Sequence, residues 1–258
     1  MNLELDGQRV LVTGGSKGIG LACAQAFLAE GAHVAITSRS VDNLADARRR
    51  LGPVLTLPGD LSDPSTAARI VEAVEHELGG IDVLVTSAGA ARRTPPDELT
   101  PEVWRAAMDA KYFTYINVID PVIKRMASRG HGVIVNIVGS GGKVASPTHL
   151  AGGAANAALM LATVGLANVY APRGIRALAI NPGLTKTTRV TEGMRADARA
   201  QGIGEDQALQ RAIDRIPLGR LAEPEEIAAM AVFAASRRAS YLTGVVITMD
   251  GASAPTVI

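Results

Sequence analysis

Seven short apolar runs, at 9–13, 33–37, 54–57, 82–86, 132–138, 176–180 and 245–249, punctuate this chain of 258 residues. They are rich in β-branched residues, continuous rather than alternating, and bounded by Gly, Pro, Asp or Asn. A strand with one wet face alternates apolar and polar residues, whereas a continuous run reads as a strand covered on both faces. Amphipathic stretches of helical length lie between them, at about 18–30, 41–51, 64–78, 101–128, 149–171 and 224–236. Asp63-Pro64 and Thr100-Pro101 each set a capping residue before a proline at the first helical position. Regular alternation of strand and helix predicts an α/β fold: a seven-stranded parallel sheet with helices on both faces, doubly wound if its crossovers are right-handed.

Composition narrows the function classes. A net charge of +1 leaves no electrostatic footprint for nucleic acid or an anionic membrane, so neither is an expected partner. The longest nearly unbroken apolar stretch, 227–235, is far too short to span a bilayer. A lone cysteine, Cys23, permits no internal disulfide and no cysteine cage for a metal, and none is expected. The first seven residues lack the basic-then-apolar run of a signal peptide, so a cytoplasmic protein is expected. Aromatics are scarce: three Phe, one Trp and four Tyr, at 112, 115, 170 and 241.

Thr13-Gly14-Gly15-Ser16-Lys17-Gly18-Ile19-Gly20 follows the first strand and opens a helix. Glycines there allow a tight turn and close approach of backbone to a pyrophosphate, whose charge the helix N-terminus favours. The spacing is G-x-x-x-G-x-G rather than the commoner G-x-G-x-x-G. The second strand ends Ile36-Thr37-Ser38-Arg39. A carboxylate at Ser38 would accept from the ribose hydroxyls of NAD; serine followed by arginine favours a 2′-phosphate, with Lys17 a second cation nearby. NADP is therefore expected over NAD, and NADPH over NADH, in a single Rossmann-type domain spanning 1–258.

The segment 187–216 is polar and charged, carrying Arg189, Glu192, Arg195, Arg199, Glu205, Asp206, Arg211 and Arg215. It follows a strand on the edge where doubly wound sheets bind ligands, so it reads as a lid-like insertion or as a solvated helical hairpin.

The glycine turn resembles that of the short-chain dehydrogenase/reductase family, and the resemblance runs nearly the whole chain. Thr86-Ser87-Ala88-Gly89 resembles the family's Asn-Asn-Ala-Gly segment, and Asp60-Leu61 its adenine-contacting pair. Asn136-Ile137-Val138 matches the end of its fifth strand, Asn181-Pro182-Gly183 with Thr187 its nicotinamide-side loop, and Thr243-Gly244 with Asp250-Gly251 its last strand. The resemblance assigns cofactor contacts to Gly14, Ser16, Lys17, Gly18, Ile19, Ser38, Arg39, Asp60, Leu61, Ser87, Ala88, Gly89, Ile137, Asn156, Pro182, Gly183, Leu184, Thr185 and Thr187. It also implies a homotetramer or homodimer packed through the helices at 101–128 and 149–171.

The family's chemistry uses a Tyr acid/base, a Lys four residues on that lowers the tyrosine pKa, a carbonyl-polarising Ser and a supporting Asn. A phenol near pKa 10 needs such tuning to work near neutrality. Aligning Ala157-Ala158-Leu159 puts Asn156 at the lysine position and Gly152 at the tyrosine position. Aligning Asn136-Ile137 independently puts Gly139 at the serine position, and the helix before it puts Lys111 at the asparagine position. All four usual residues are absent, and none of the four tyrosines stands at the family's site.

Replacements lie close in sequence. Ser140 follows the serine position, His149 precedes the tyrosine position by three and titrates near neutrality, and Lys111 becomes a proton donor or anion ligand if burial lowers its pKa. Tyr115 lies one helical turn from Lys111 on the same face, as a relocated Lys–Tyr pair would. Each also has a plain reading: turn residue, helix entry, surface cation, packing. The expected function is NADP(H)-dependent oxidoreduction, with a non-standard active site, of a small or medium organic carbonyl, alcohol or activated alkene. The alternatives are a lyase or hydrolase on the same scaffold, or a silent NADP-binding regulator.

Overall fold

The computed structural model describes residues 1–89 and 91–255. Ala90 and the last three residues of the expected 1–258 span lie outside them. The strands are β1 (Arg9–Thr13), β2 (His33–Ser38), β3 (Leu55–Pro58), β4 (Val83–Thr86), β5 (Gly132–Ile137), β6 (Ile175–Pro182) and β7 (Val246–Met249). All pair in parallel, in the order β3-β2-β1-β4-β5-β6-β7, so each expected strand appears within about two residues of its run. The order reverses between β1 and β4, and ligands of doubly wound sheets bind outside the carboxyl ends of the strands at that reversal.

Alternate residues of each strand feed two cores. Val10, Val12, Val34, Ile36, Val85 and Ile180 pack on one face against Phe27 of α1 (Gly18–Ala29), Leu44 of α2 (Val41–Leu51) and Ile227 of α9 (Pro224–Ala235). Leu11, Ala35, Leu84, Ile134 and Ala179 point the other way. They meet α3 (Pro64–Leu78), α5 (Thr114–Arg129) and α6 (Leu150–Tyr170). Burying each such large apolar side chain contributes about 1.5–3 kcal/mol, and two-faced burial explains why the runs lack polar alternation.

Two segments depart from the sequence reading. The helix expected over 101–128 is interrupted: α4 (Pro101–Ala107) gives way to a π-helical turn at Met108–Phe113 before α5 resumes. The widened turn loosens the normal carbonyl pairing, and the Thr114 hydroxyl donates to the carbonyls of Asp109 and Ala110 at 3.0 and 3.2 Å. The Ala110 carbonyl also faces Gly89, where a Cβ would strike it.

The second departure concerns α6. A 24-residue stretch containing it, Leu150–Arg173, has a mean hydropathy of 1.6 over 18 residues, so the chain does hold one helix long and apolar enough to cross a membrane. Half of that window is buried inside the protein, where Leu159, Met160 and Ala167 pack on the sheet. The segment 187–216 folds as two helices, α7 (Thr188–Gln201) and α8 (Glu205–Asp214), joined by a small apolar cluster of Met194, Ala198 and Ala208.

Candidate active site

The phosphate turn links three strands at the carboxyl edge. The amide of Gly14 donates to the Thr37 carbonyl at 2.8 Å, and Thr13 Oγ1 accepts from the amides of Ser87 and Ala88 at 3.1 and 3.2 Å. A Cβ on Gly14 would lie 2.8 Å from the Ala88 amide nitrogen, and Gly14 holds a positive φ of 68°. A Cβ on Gly20 would strike the Gly14 carbonyl. No side chain caps α1 at Lys17, so the amides of Gly18 and Ile19 meet the edge as unpaired donors suited to a phosphate. Ser16 is buried in the same turn.

Ser38 and Arg39 end β2, and Asp60 and Leu61 follow β3 beside them. The Ser62 amide and hydroxyl, with the charge of Arg39, hold the Asp60 carboxyl below its usual value despite some desolvation. Leu61 is buried, its carbonyl bonded to the Asn117 amide at 3.0 Å. Lys17 and Arg39 are exposed, and neither pairs with a carboxylate among the described residues.

The substituted catalytic positions come together where β5 meets α6. Gly139 has a φ of 125°, a conformation in which a serine would be strained. Ser140 opens the 3₁₀ turn Ser140–Gly142, with Lys143 and Val144 amides on its carbonyl. Asn156 is buried; its amide faces the Gly139 carbonyl at 3.5 Å, and its Oδ1 has no partner. The His149 imidazole lies between two glycines: a Cβ on Gly141 would fall 2.8 Å from its Cδ2, and one on Gly152 would fall 2.7 Å from both ring nitrogens. Burial first, then the positive charges of Arg93, Lys111 and Arg189, push His149 down to about 4. The ring is therefore neutral across the physiological range, a hydrogen-bonding group rather than an imidazolium acid. Its Nδ1 is buried without a partner.

Lys111 is no surface cation. It sits in the π-helical turn, 7% exposed, with Nζ donating to Tyr115 OH at 2.7 Å and to the Ile137 carbonyl at 3.2 Å. The Tyr115 hydroxyl also donates to that carbonyl. Burial drives the Lys111 pKa well down and the Tyr115 pKa up. A Lys–Tyr pair thus forms one turn apart, but with the opposite electrostatics: the lysine tends to neutrality and its phenol is a weaker acid.

The far wall is built from the chain after β6. Pro182, Gly183, Leu184 and Thr185 leave the sheet beside Asp250 and bridge to Ala222, and Thr187 reaches Gly18, where a Cβ would lie 3.0 Å from its Cγ2. From α7, Asp197 takes Arg93 at 3.1 Å and the Thr148 hydroxyl at 2.8 Å, joining the insertion to the segment before α6. Arg189, in the first turn of α7, donates to the Gly89 carbonyl at 3.3 Å. Arg93, Thr148 and Asp197 escaped the sequence reading because contacts spanning 49 to 104 residues leave no local periodicity.

The chain is similar along its length to several known proteins. A family model described as enoyl-(acyl carrier protein) reductase matches residues 14–252. The chain is 34% identical over 241 residues to the acetoacetyl-CoA reductase of Shinella zoogloeoides, covering 93% of this chain and 96% of that protein. It is 31% identical over 248 residues to the NADPH-dependent reductase BacG of Bacillus subtilis (strain 168), covering 94% and 96%. The crystal structure of L-sorbose reductase from Gluconobacter frateurii, complexed with NADPH and L-sorbose, superposes with a TM-score of 0.91 at 30% identity over all of both chains.

Proposed function

Because this chain belongs to the short-chain dehydrogenase/reductase family and is an oxidoreductase, we propose that it uses NADP(H) in a non-standard active site, acting on a small carbonyl, alcohol or activated alkene. The observation that carries the reading is the pair of cations, Lys17 and Arg39, without carboxylate partners among the described residues, flanking a glycine cradle in which a Cβ on Gly14 or Gly20 would collide with backbone. The similarity to an NADPH-dependent reductase and to an NADPH-complexed structure supports the same cofactor.

Bound there, NADP(H) supplies hydride exchange. This chain's residues hold and orient. The α1 amides take the pyrophosphate, with Ser16 in the same turn. Lys17 and Arg39 take the 2′-phosphate, Asp60 and Leu61 border the adenine, and Ser87, Ala88 and Gly89 line the floor. Asn156 Oδ1 accepts from a ribose hydroxyl, which accounts for its having no protein partner. Ile137 and the 182–187 wall border the nicotinamide.

His149 replaces the family's phenol as the donor to the substrate oxygen, acting as a neutral imidazole N–H. Neutral imidazole polarises a carbonyl without being consumed as an acid, which suits substrates that delocalise their developing charge. Ser140 is a second donor at the same edge, and Lys111 acts as a positioning residue, fixing the Ile137 carbonyl. The α7–α8 hairpin is the lid over this cleft.

The assembly we propose is a homodimer or homotetramer in the cytoplasm, closed through the exposed apolar stripe Ala154, Ala157, Leu161 and Val164 on α6. Sedimentation at micromolar concentration tests it, and a monomer overturns it. For the reaction, the decisive experiment incubates the enzyme with 4-deuterated NADPH and panels of ketones, conjugated enones and sugars. Deuterium in any product supports the reading. Tight NADPH binding without transfer moves the assignment to a lyase, a hydrolase or a silent NADP-binding protein.

A further inference from the structure

Beside Gly89, just after β4, stands an arginine, Arg189, that no carboxylate among the described residues pairs with. Arg189 occupies the first turn of α7, and among the described residues its guanidinium makes one side-chain hydrogen bond, Nη2 to the Gly89 carbonyl at 3.3 Å. Among the described residues no carboxylate reaches ion-pair distance of it. The acidic residue of the same wall, Asp197, is already committed to Arg93 and the Thr148 hydroxyl. Glu192, one turn along α7, influences Arg189 only through space.

Through Gly89, which packs on the Ala110 carbonyl, the exposed Arg189 side chain lies next to the turn that carries Lys111. Its charge acts on Lys111 beneath the Ile137 carbonyl and on the His149 ring. Its side chain is reached by water, yet protein surrounds it on enough sides to lower its pKa by desolvation. A partly desolvated cation strengthens any ion pair it makes, and one without a carboxylate partner is a recognition element for an anion. Its planar fork fits a carboxylate with two parallel hydrogen bonds. The His149 Nδ1 is buried without a partner among the described residues.

We infer that the substrate carries a free carboxylate, and that Arg189 is the residue that selects it while its reacting oxygen meets His149. The substrate class is then an oxo, hydroxy or unsaturated acid rather than a neutral ketone, sugar or ester. This rests on the oxidoreductase reading for which atom reacts, but not for which group binds.

The test therefore separates binding from turnover. With NADPH present at saturation, hexanoate, octanoate and benzoate are titrated by calorimetry against hexanamide, octanamide and benzamide. The wild-type protein binds each acid about tenfold or more tightly than its amide, as expected for one charge-assisted bidentate contact. Arg189→Gln brings that ratio to about one, Arg189→Lys leaves an intermediate ratio, and both keep NADPH affinity within about twofold. Equal binding of acids and amides by the wild type overturns the inference, as does a ratio unchanged in Arg189→Gln. A variant that loses NADPH affinity in place of acid preference also overturns it, assigning Arg189 to the cofactor.

Turnover then distinguishes the two readings. Acid preference without deuterium transfer to any substrate leaves Arg189 a carboxylate-binding residue and removes the redox assignment. Transfer to esters and amides as readily as to acids keeps the redox assignment and removes this inference.

Discussion

The imidazole of His149 rests on the Cα of Gly152: a Cβ there would stand 2.7 Å from Nδ1 and as near to Nε2. The missing tyrosine and the neighbouring histidine are therefore one feature, because the ring occupies space that only glycine leaves open. Gly152→Ala must push the ring aside. If His149 is the donor to substrate oxygen, Gly152→Ala and His149→Ala each lower kcat about 100-fold, the usual loss for one polarising donor. The double variant is no worse than either alone, since both remove the same group. Steady-state kinetics, with circular dichroism to verify folding, checks this; additive losses would separate the two residues.

The proposed preference for NADPH rests on Lys17 and Arg39, both exposed and without carboxylate partners among the described residues. A charge-assisted contact contributes about 1.5–3 kcal/mol. Lys17→Ala and Arg39→Ala should each weaken NADPH binding about tenfold or more, leaving NADH within about twofold. Fluorescence titration of both nucleotides reads this out. Equal losses for NADPH and NADH would place the two cations away from the 2′-phosphate.

The seven strands were legible because both their faces are buried, which removes every polar alternation and leaves a plain apolar signal. Gly139, Gly152 and Asn156 were read from two sequence registers as the positions of the family's serine, tyrosine and lysine, and the structure brings the three together where β5 meets α6. What filled the space was not legible. The His149 ring reaches Gly152 only because His149 sits just outside α6 in a non-helical conformation, φ −133° and ψ 29°. The π-helical turn was equally invisible: it depends on Thr114 and on the close approach of Gly89 to the Ala110 carbonyl, a contact across chain segments. The burial of Lys111 follows from that turn, which rotates it inward.

Protonation of His149 gives a second, independent readout. Its pKa lies at about 4 when folded, below the ordinary 6.5, because of burial and then Arg93, Lys111 and Arg189, with Asp197 opposing them. Those groups face it from the chain after β4, from the π-helical turn and from α7. Between pH 6.5 and 4 the unfolded chain takes up a proton that the folded ring refuses, so stability falls as pH falls through that window. Above it the contribution is fully present. His149→Gln should flatten this part of the profile of melting temperature against pH. Parallel profiles for wild type and variant would show that the ring is not held neutral.

The Lys111–Tyr115 pair answers to hydrogen-bond accounting. Tyr115→Phe removes the hydroxyl partner of a buried amine, while Lys111→Met leaves the tyrosine its bond to the Ile137 carbonyl. Each variant leaves the remaining buried group only its bond to the Ile137 carbonyl, and each should cost about 1–3 kcal/mol. The double variant should differ from the two combined, since both side chains donate to the same Ile137 carbonyl. Urea denaturation of the four proteins measures the coupling; strict additivity would mean that the pair acts independently.

The α7–α8 hairpin has little apolar attachment of its own, its cluster being Met194, Ala198 and Ala208 with four partly buried neighbours. The link from Asp197 to Arg93 and Thr148 therefore carries much of its connection to the cleft. Gly193 admits Arg93 to that position, since a Cβ there would lie 3.0 Å from Nε. Arg93→Ala strands a half-buried carboxylate, at a cost of about 1–3 kcal/mol. Asp197→Asn keeps a hydrogen-bonding group and should cost less. The cost should be local: hydrogen exchange in 188–201 rises while the amides of β1, β4 and β5 keep their protection. KM should rise more than kcat falls if the hairpin closes over substrate. Unchanged exchange in α7, or an equal rise across the sheet, would show that the link does not hold the hairpin in place.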